Sequence, residues 1–134
     1  MAVRIIPYLV AIVASVAMFR AAGGIALLTG ALKPALDALH FPSDLLPLVL
    51  MRPLSGSGAN GIFAELVQAN GPDSLISRMG ASIMGSTETT FYVIAVYFGS
   101  VAVRRTRHAV PAGLCADLAG VVAAVLICNL VFGR

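Results

Sequence analysis

The chain has 134 residues, of which 59% are apolar and 11% charged, with a formal net charge of +3, whereas a soluble domain carries about 25% charged residues. That composition cannot clothe a water-facing surface, and the apolar residues fall in runs too long for helices that bury a single stripe. The basic excess does not fit nucleic acid: most basic residues are scattered singly, no aromatic residues interleave with them, and the one cluster, Arg104, Arg105, Arg107 and His108, lies between two long apolar runs.

Residues 5–32 carry Arg20 as their one charge. A helix needs about 20 residues to cross the hydrocarbon, so the stretch predicts one tilted crossing. Ending it at Phe19 would leave a helix only about 22 Å long, which puts Arg20 at membrane depth. The apolar stretch runs on past Ala21-Ala22, so a cleavable signal peptide is not expected. Lys33-Pro34 is expected to stop the helix, with Asp37, His40, Pro42 and Asp44 at an interface.

Leu45 to Met51 is apolar but too short to span, and Arg52-Pro53-Leu54-Ser55-Gly56-Ser57-Gly58-Ala59-Asn60-Gly61 follows at once. The glycines and small hydroxyls are expected to break the helix before a second short apolar piece, Ile62 to Val67. Two half-length arms around a glycine-rich tip predict a re-entrant hairpin, a form tolerated only against protein or a water-filled cavity.

Leu75 to Val103 is interrupted by Gly85-Ser86-Thr87-Glu88-Thr89-Thr90 and predicts a discontinuous crossing. If the segment is helical, Ser82, Gly85, Ser86 and Thr89 share one face, and Glu88 and Tyr92 another. After the basic loop, Ala109 to Phe132 is an apolar run broken by Asp117 and Asn129, the last crossing. The predicted fold is thus all-α and polytopic, with about three transmembrane helices plus the hairpin. The positive-inside bias puts the Arg104 to His108 loop and the N-terminus in the cytoplasm and opens the hairpin outward.

Ionisable groups in hydrocarbon cost at least about 2.5 to 3.5 kcal/mol each, so Arg20, Arg52, Glu88 and Asp117 need a reason. One reading pairs them as internal salt bridges, with Asp117, on a stripe of Gly113, Gly120 and Ala124, as the partner of Arg20 or Arg52. The other lines a cavity with them and the hairpin tip. On it, Ser55, Gly56, Ser57, Gly58 and Asn60 from the tip and Ser86, Thr87, Glu88, Thr89 and Thr90 from the second break contact a solute or ion, because broken helices expose backbone groups that need partners.

Catalytic, metal-binding and cofactor signatures are not expected. His40 and His108 fall in loops without a nearby nucleophile. Gly56-x-Gly58 lacks the strand of a nucleotide fold. Cys115 and Cys128 have no ligand spacing and read as buried free thiols.

The segments Arg4-Ile5-Ile6-Pro7-Tyr8-Leu9-Val10, Met18-Phe19-Arg20-Ala21, Pro42-Ser43-Asp44, Met51-Arg52-Pro53-Leu54-Ser55-Gly56-Ser57-Gly58, Gly71-Pro72-Asp73-Ser74 and Gly85-Ser86-Thr87-Glu88-Thr89-Thr90-Phe91-Tyr92 resemble the spore maturation protein B family. So do Tyr97-Phe98-Gly99, Arg107-His108-Ala109, Pro111-Ala112-Gly113-Leu114 and Asp117-Leu118-Ala119-Gly120. The resemblance implies a single Gate-type, nucleoside-recognition transmembrane domain over 1–134, in the inner (plasma) membrane. It implies one half of an inverted-repeat, transporter-like core whose other half is a spore maturation protein A-like subunit, together passing a small solute or ion, in some relatives during spore maturation. Family members usually carry a further helix ahead of the segment beginning at Arg4. The alternative function is a structural or regulatory membrane protein with no solute path of its own.

Overall fold

A computed structural model describes residues 6, 10, 11, 14, 15, 18, 19, 21–38, 41–103 and 105–133. Among them the secondary structure is entirely helical. The described residues ahead of 22 are helical, and Ser15 bonds back to the carbonyl of Ala11 at 2.7 Å. Arg20, His40 and Arg104 lie outside the described residues.

The 5–32 stretch is not one helix. Gly23 takes φ 76°, the left-handed region that glycine enters at little cost, and breaks it. Gly24 then lies so close to the Phe19 ring that a Cβ there would overlap it. Helix α1, Gly24–Ala38, starts beyond the break and carries Pro34 inside it, so Lys33-Pro34 does not stop it. Proline forfeits one helical bond, here to the carbonyl of Gly30, and the helix runs on through it.

A 3-10 turn, Ser43–Leu45, leads into α2, Leu46–Met51, and α3, Gly56–Asn70, follows after a turn at 52–55. The glycines expected to break the chain instead open α3. Ser55 is extended (φ −153°, ψ 116°) and its Oγ accepts from the N–H of Gly58, an N-cap. Gly56 and Gly58 also sit close to neighbours: a Cβ at 56 would stand 3.2 Å from Thr89 Cγ2 and one at 58 would stand 3.1 Å from Met51 Sδ. The cap and this packing offset the roughly 1 kcal/mol that each glycine costs in a helix.

Gly71, at φ 85°, ends α3. Ser74 caps α4, Leu75–Ser86, by accepting from the N–H of Ser77 at 3.2 Å, and Ser77 Oγ donates to the carbonyl of Gly71 at 2.6 Å. Residues 87–89 are non-helical, so the second interruption falls within the expected window, and Thr89 does not continue the face of Ser82, Gly85 and Ser86. α5, Thr90–Val93, passes directly into π-helical turns over Ile94–Phe98. α6, Ala109–Phe132, has the bounds that the apolar run predicted.

Two apolar clusters hold these elements. Leu45, Leu66, Met79 and Ile83 pack on Val121, Ala124, Val125 and Cys128 of α6, while Leu48 and Met51 of α2 pack on Ala59 and Ile62 of α3. Leu45, Leu48 and Ile83 are wholly buried, each worth about 1.5–3 kcal/mol. α4 and α6 make the tightest crossing, because a Cβ on Gly120 would come within 2.8 Å of the Ser86 carbonyl oxygen. Cys128 is buried with its sulfur 3.2 Å from Ser82 Oγ, whereas Cys115 is exposed, contrary to the expectation of two buried thiols.

Among the described residues α6 alone is long and apolar enough to cross a membrane, and only 22% of its most apolar window is buried. The other apolar stretches are cut short at Gly23, at 52–55 and at 87–89.

Candidate functional site

The turn at 52–55 and the interruption at 87–89 lie against each other. Arg52, just beyond α2, donates through Nη2 to the carbonyls of Met84 (2.9 Å) and Thr87 (2.7 Å), at the C-terminal end of α4. Helix C-termini leave carbonyls without intrahelical partners and carry partial negative charge, so a guanidinium satisfies both needs. The carbonyl of Pro53 accepts from the N–H of Phe91 at 3.1 Å, tying the same turn to the start of α5. Thr87 ends α4 by turning its own Oγ1 back to the carbonyl of Ile83 at 2.6 Å.

Asp117 of α6 supports the interruption from the other side. Its Oδ1 accepts from the N–H of Glu88 at 3.0 Å and its Oδ2 accepts from the hydroxyl of Thr90. Arg52 and Asp117 line one cavity of about 130 Å³ with Val49, Pro53, Thr87, Leu114, Leu118 and Val121. No ion pair joins these two among the described residues, and each instead serves backbone at the interruption. Arg52 Nε is buried with no hydrogen-bond partner among the described residues. The small-residue stripe on α6 explains the fit: Gly113 faces Thr90, Gly120 faces Ser86 and Thr87, and Ala124 is buried in the core.

The remaining candidates divide between caps and surface. Ser55 Oγ caps α3 and lies 3.3 Å from Ser57 Oγ, while Asn60 is exposed on α3. Ser86 is exposed, with Oγ 3.4 Å from the carbonyl of Gly120. Thr87, Thr89 and Thr90 are buried. Glu88 is exposed, and its Oε1 accepts from the N–H of Thr89 (3.0 Å) and from the Thr89 hydroxyl (3.3 Å). Oε2 receives no hydrogen bond from a described residue. The carboxylate borders an open concavity of about 600 Å³ lined by Thr89, Tyr92, Val93 and Tyr97.

A second concavity of about 520 Å³ was not anticipated from the sequence. It lies between α1, the 3-10 turn and α3, with Lys33, Asp44, Glu65 and Asn70 among its lining. Glu65 interrupts the apolar run Ile62 to Val67, and that interruption was its signal.

Comparison with known proteins fits these motifs. The Gate family model, described as nucleoside recognition, matches residues 2–104, ending before α6. Over 132 residues the chain is 44% identical to a protein named Spore maturation protein B from Bacillus subtilis (strain 168), a match that covers 98% of this chain and 74% of that protein. The chain belongs to the spore maturation protein B family. No solved structure matches it. In this family member the Gate match takes in both the 52–55 turn and the 87–89 interruption, while α6, which supplies Asp117, lies beyond it.

Proposed function

We propose that this chain is a multi-pass plasma-membrane transporter subunit, one half of a solute pathway completed by a spore maturation protein A-like partner. The observation that carries the reading is the junction of two helix interruptions, joined through Arg52 and Thr87, with the Glu88 carboxylate exposed beside it. Transporter folds bind solutes and coupling ions at the ends and unwound backbone of broken helices that meet, and ionisable side chains at membrane depth mark their pathways. The exposed apolar length of α6 supports contact with lipid or with another membrane chain. The name of the Bacillus subtilis relative points to spore maturation as the setting. The role is not enzymatic.

One observation favours the structural or regulatory reading. Backbone groups freed at 87–91 are already engaged by Arg52, Asp117, Glu88 and Pro53, so much of the polarity that a solute would use holds the fold. Reconstitution separates the two readings. The chain is placed in proteoliposomes alone, with the partner, and with neither, and uptake of a solute panel is followed. Uptake that needs both chains supports the pathway; assembly without uptake of any solute supports the structural role.

A further inference from the structure

From the wall of the Glu88 concavity we infer a binding site for a small organic cation, a group of the ammonium class. The inference rests on the solute-contacting reading of the 87–89 interruption and names the class of ligand. Three of the five side chains that line the concavity carry the inference. Glu88 contributes a carboxylate whose Oε2 takes no hydrogen bond from a described residue, and Tyr92 and Tyr97, 41% and 64% exposed, contribute two phenol rings.

Tyr97 reaches this wall because the helix is distorted. Five residues along an α-helix carry a side chain about 140° round the axis, away from the face where it started. Over Ile94–Phe98 the chain is π-helical. The wider turns bring residues five apart nearer to one face than an α-helix does, and Tyr97 lines the same concavity as Tyr92. Such turns are rare and are often found at functional sites.

A carboxylate beside exposed aromatic faces suits an ammonium group. The carboxylate supplies the counter-charge, and the ring quadrupoles attract a cation within about 6 Å of a ring centroid. Among the described residues no basic side chain lines the concavity, so that lining offers an anion no counter-charge. The ammonium group can belong to a free organic cation or to an amine-bearing lipid headgroup, and the chemistry is shared.

The test uses the full chain in phosphatidylglycerol nanodiscs, whose headgroups carry no amine, with choline as the probe and 3,3-dimethylbutan-1-ol as its uncharged isostere. We expect saturable choline binding by titration calorimetry and at least tenfold weaker binding of the isostere. Glu88→Gln and Tyr97→Ala should each weaken choline binding by about tenfold, while Tyr97→Phe, which keeps the ring, should stay close to wild type. Circular dichroism and melting confirm that each variant is folded. Adding phosphatidylethanolamine to the discs separates the sources: competition with choline identifies the headgroup, and undisturbed choline binding identifies the free cation.

Absence of choline binding by the folded wild-type chain overturns the inference, as does equal binding of the isostere or an unchanged Tyr97→Ala. The comparison of choline with its isostere needs no variant. Glu88-dependent uptake of another solute without choline binding would defeat this inference and leave the transport reading standing. Choline binding without uptake of any solute would do the reverse.

Discussion

The guanidinium of Arg52 meets the carbonyl of Thr87 at 2.7 Å across 35 residues of sequence, and the same nitrogen takes the carbonyl of Met84. Through this contact the turn at 52–55 caps the helix that ends at the second interruption. Hydrogen bonds from a charged donor contribute about 1.5–3 kcal/mol each. Arg52→Met removes both bonds and should lower the stability of the chain by about 3–6 kcal/mol, read as a fall in Tm in detergent. Arg52→Lys should recover less than half of the loss, because the lysine side chain is one bond shorter and its ammonium stops short of the place where Nη2 meets both carbonyls. A methionine variant as stable as wild type would show that the cap is dispensable.

Asp117 makes a prediction at single-residue resolution. Its carboxylate accepts from the N–H of Glu88 and the hydroxyl of Thr90, and alanine removes both acceptors. Asp117→Ala should speed hydrogen exchange at the Glu88 amide by at least about tenfold, equivalent to roughly 1.4 kcal/mol of local protection. Asp117→Asn keeps one carbonyl oxygen and should fall between. Unchanged exchange at Glu88 in the alanine variant would remove Asp117 from the support of the interruption.

Two glycine substitutions should move stability in opposite directions. At Gly120 a Cβ would approach the Ser86 carbonyl oxygen to 2.8 Å, backbone that cannot step aside, so Gly120→Ala should cost about 1–3 kcal/mol through overpacking. At Gly61, inside α3, nothing lies within 4 Å of the added carbon, so Gly61→Ala should gain about 0.5–1 kcal/mol from helix propensity. Melting curves of the two variants check both signs. Loss of stability at Gly61 would mean that a partner packs on that face.

Topology follows from the basic loop. With both native thiols replaced by alanine, Thr106→Cys should resist an impermeant maleimide in intact cells and react once the membrane is opened, as expected of a cytoplasmic loop. Ready labelling from outside would invert the arrangement. Replacing Cys115 is essential here because it is exposed.

The sequence made some elements legible because a single local cause governs them. A long uninterrupted apolar run leaves the chain little choice, and α6 took the bounds Ala109–Phe132 that its run implied. The polar residues at 87–89 likewise interrupt the helix where they stand, with Thr87 turning its hydroxyl back on Ile83 to end it. Elsewhere two local causes competed. Glycines at 56, 58 and 61 argued for a break, yet the Ser55 cap and the tight approach to Met51 and Thr89 drew them into α3. Pro34 argued for a stop, but a proline forfeits one backbone bond and α1 runs on through it. Gly23 carried no polar neighbour to mark the break that its positive φ creates. The partners of Arg52 were least legible, since backbone carbonyls have no signature in sequence while Asp117 offered an obvious opposite charge. Tyr97 was missed for a geometric reason: helical spacing assumes 3.6 residues per turn, and the π-helical stretch departs from it.

The most direct measurement is solute uptake by the reconstituted two-chain complex carrying Glu88→Gln. Glutamine keeps the shape of the side chain and an oxygen for the N–H of Thr89, and it removes the charge that borders the concavity. The transport account predicts normal expression, normal partner binding, and uptake reduced at least about a hundredfold, as for loss of an ion-binding carboxylate worth roughly 2.7 kcal/mol. A complex that assembles normally and takes up solute at the wild-type rate would contradict it.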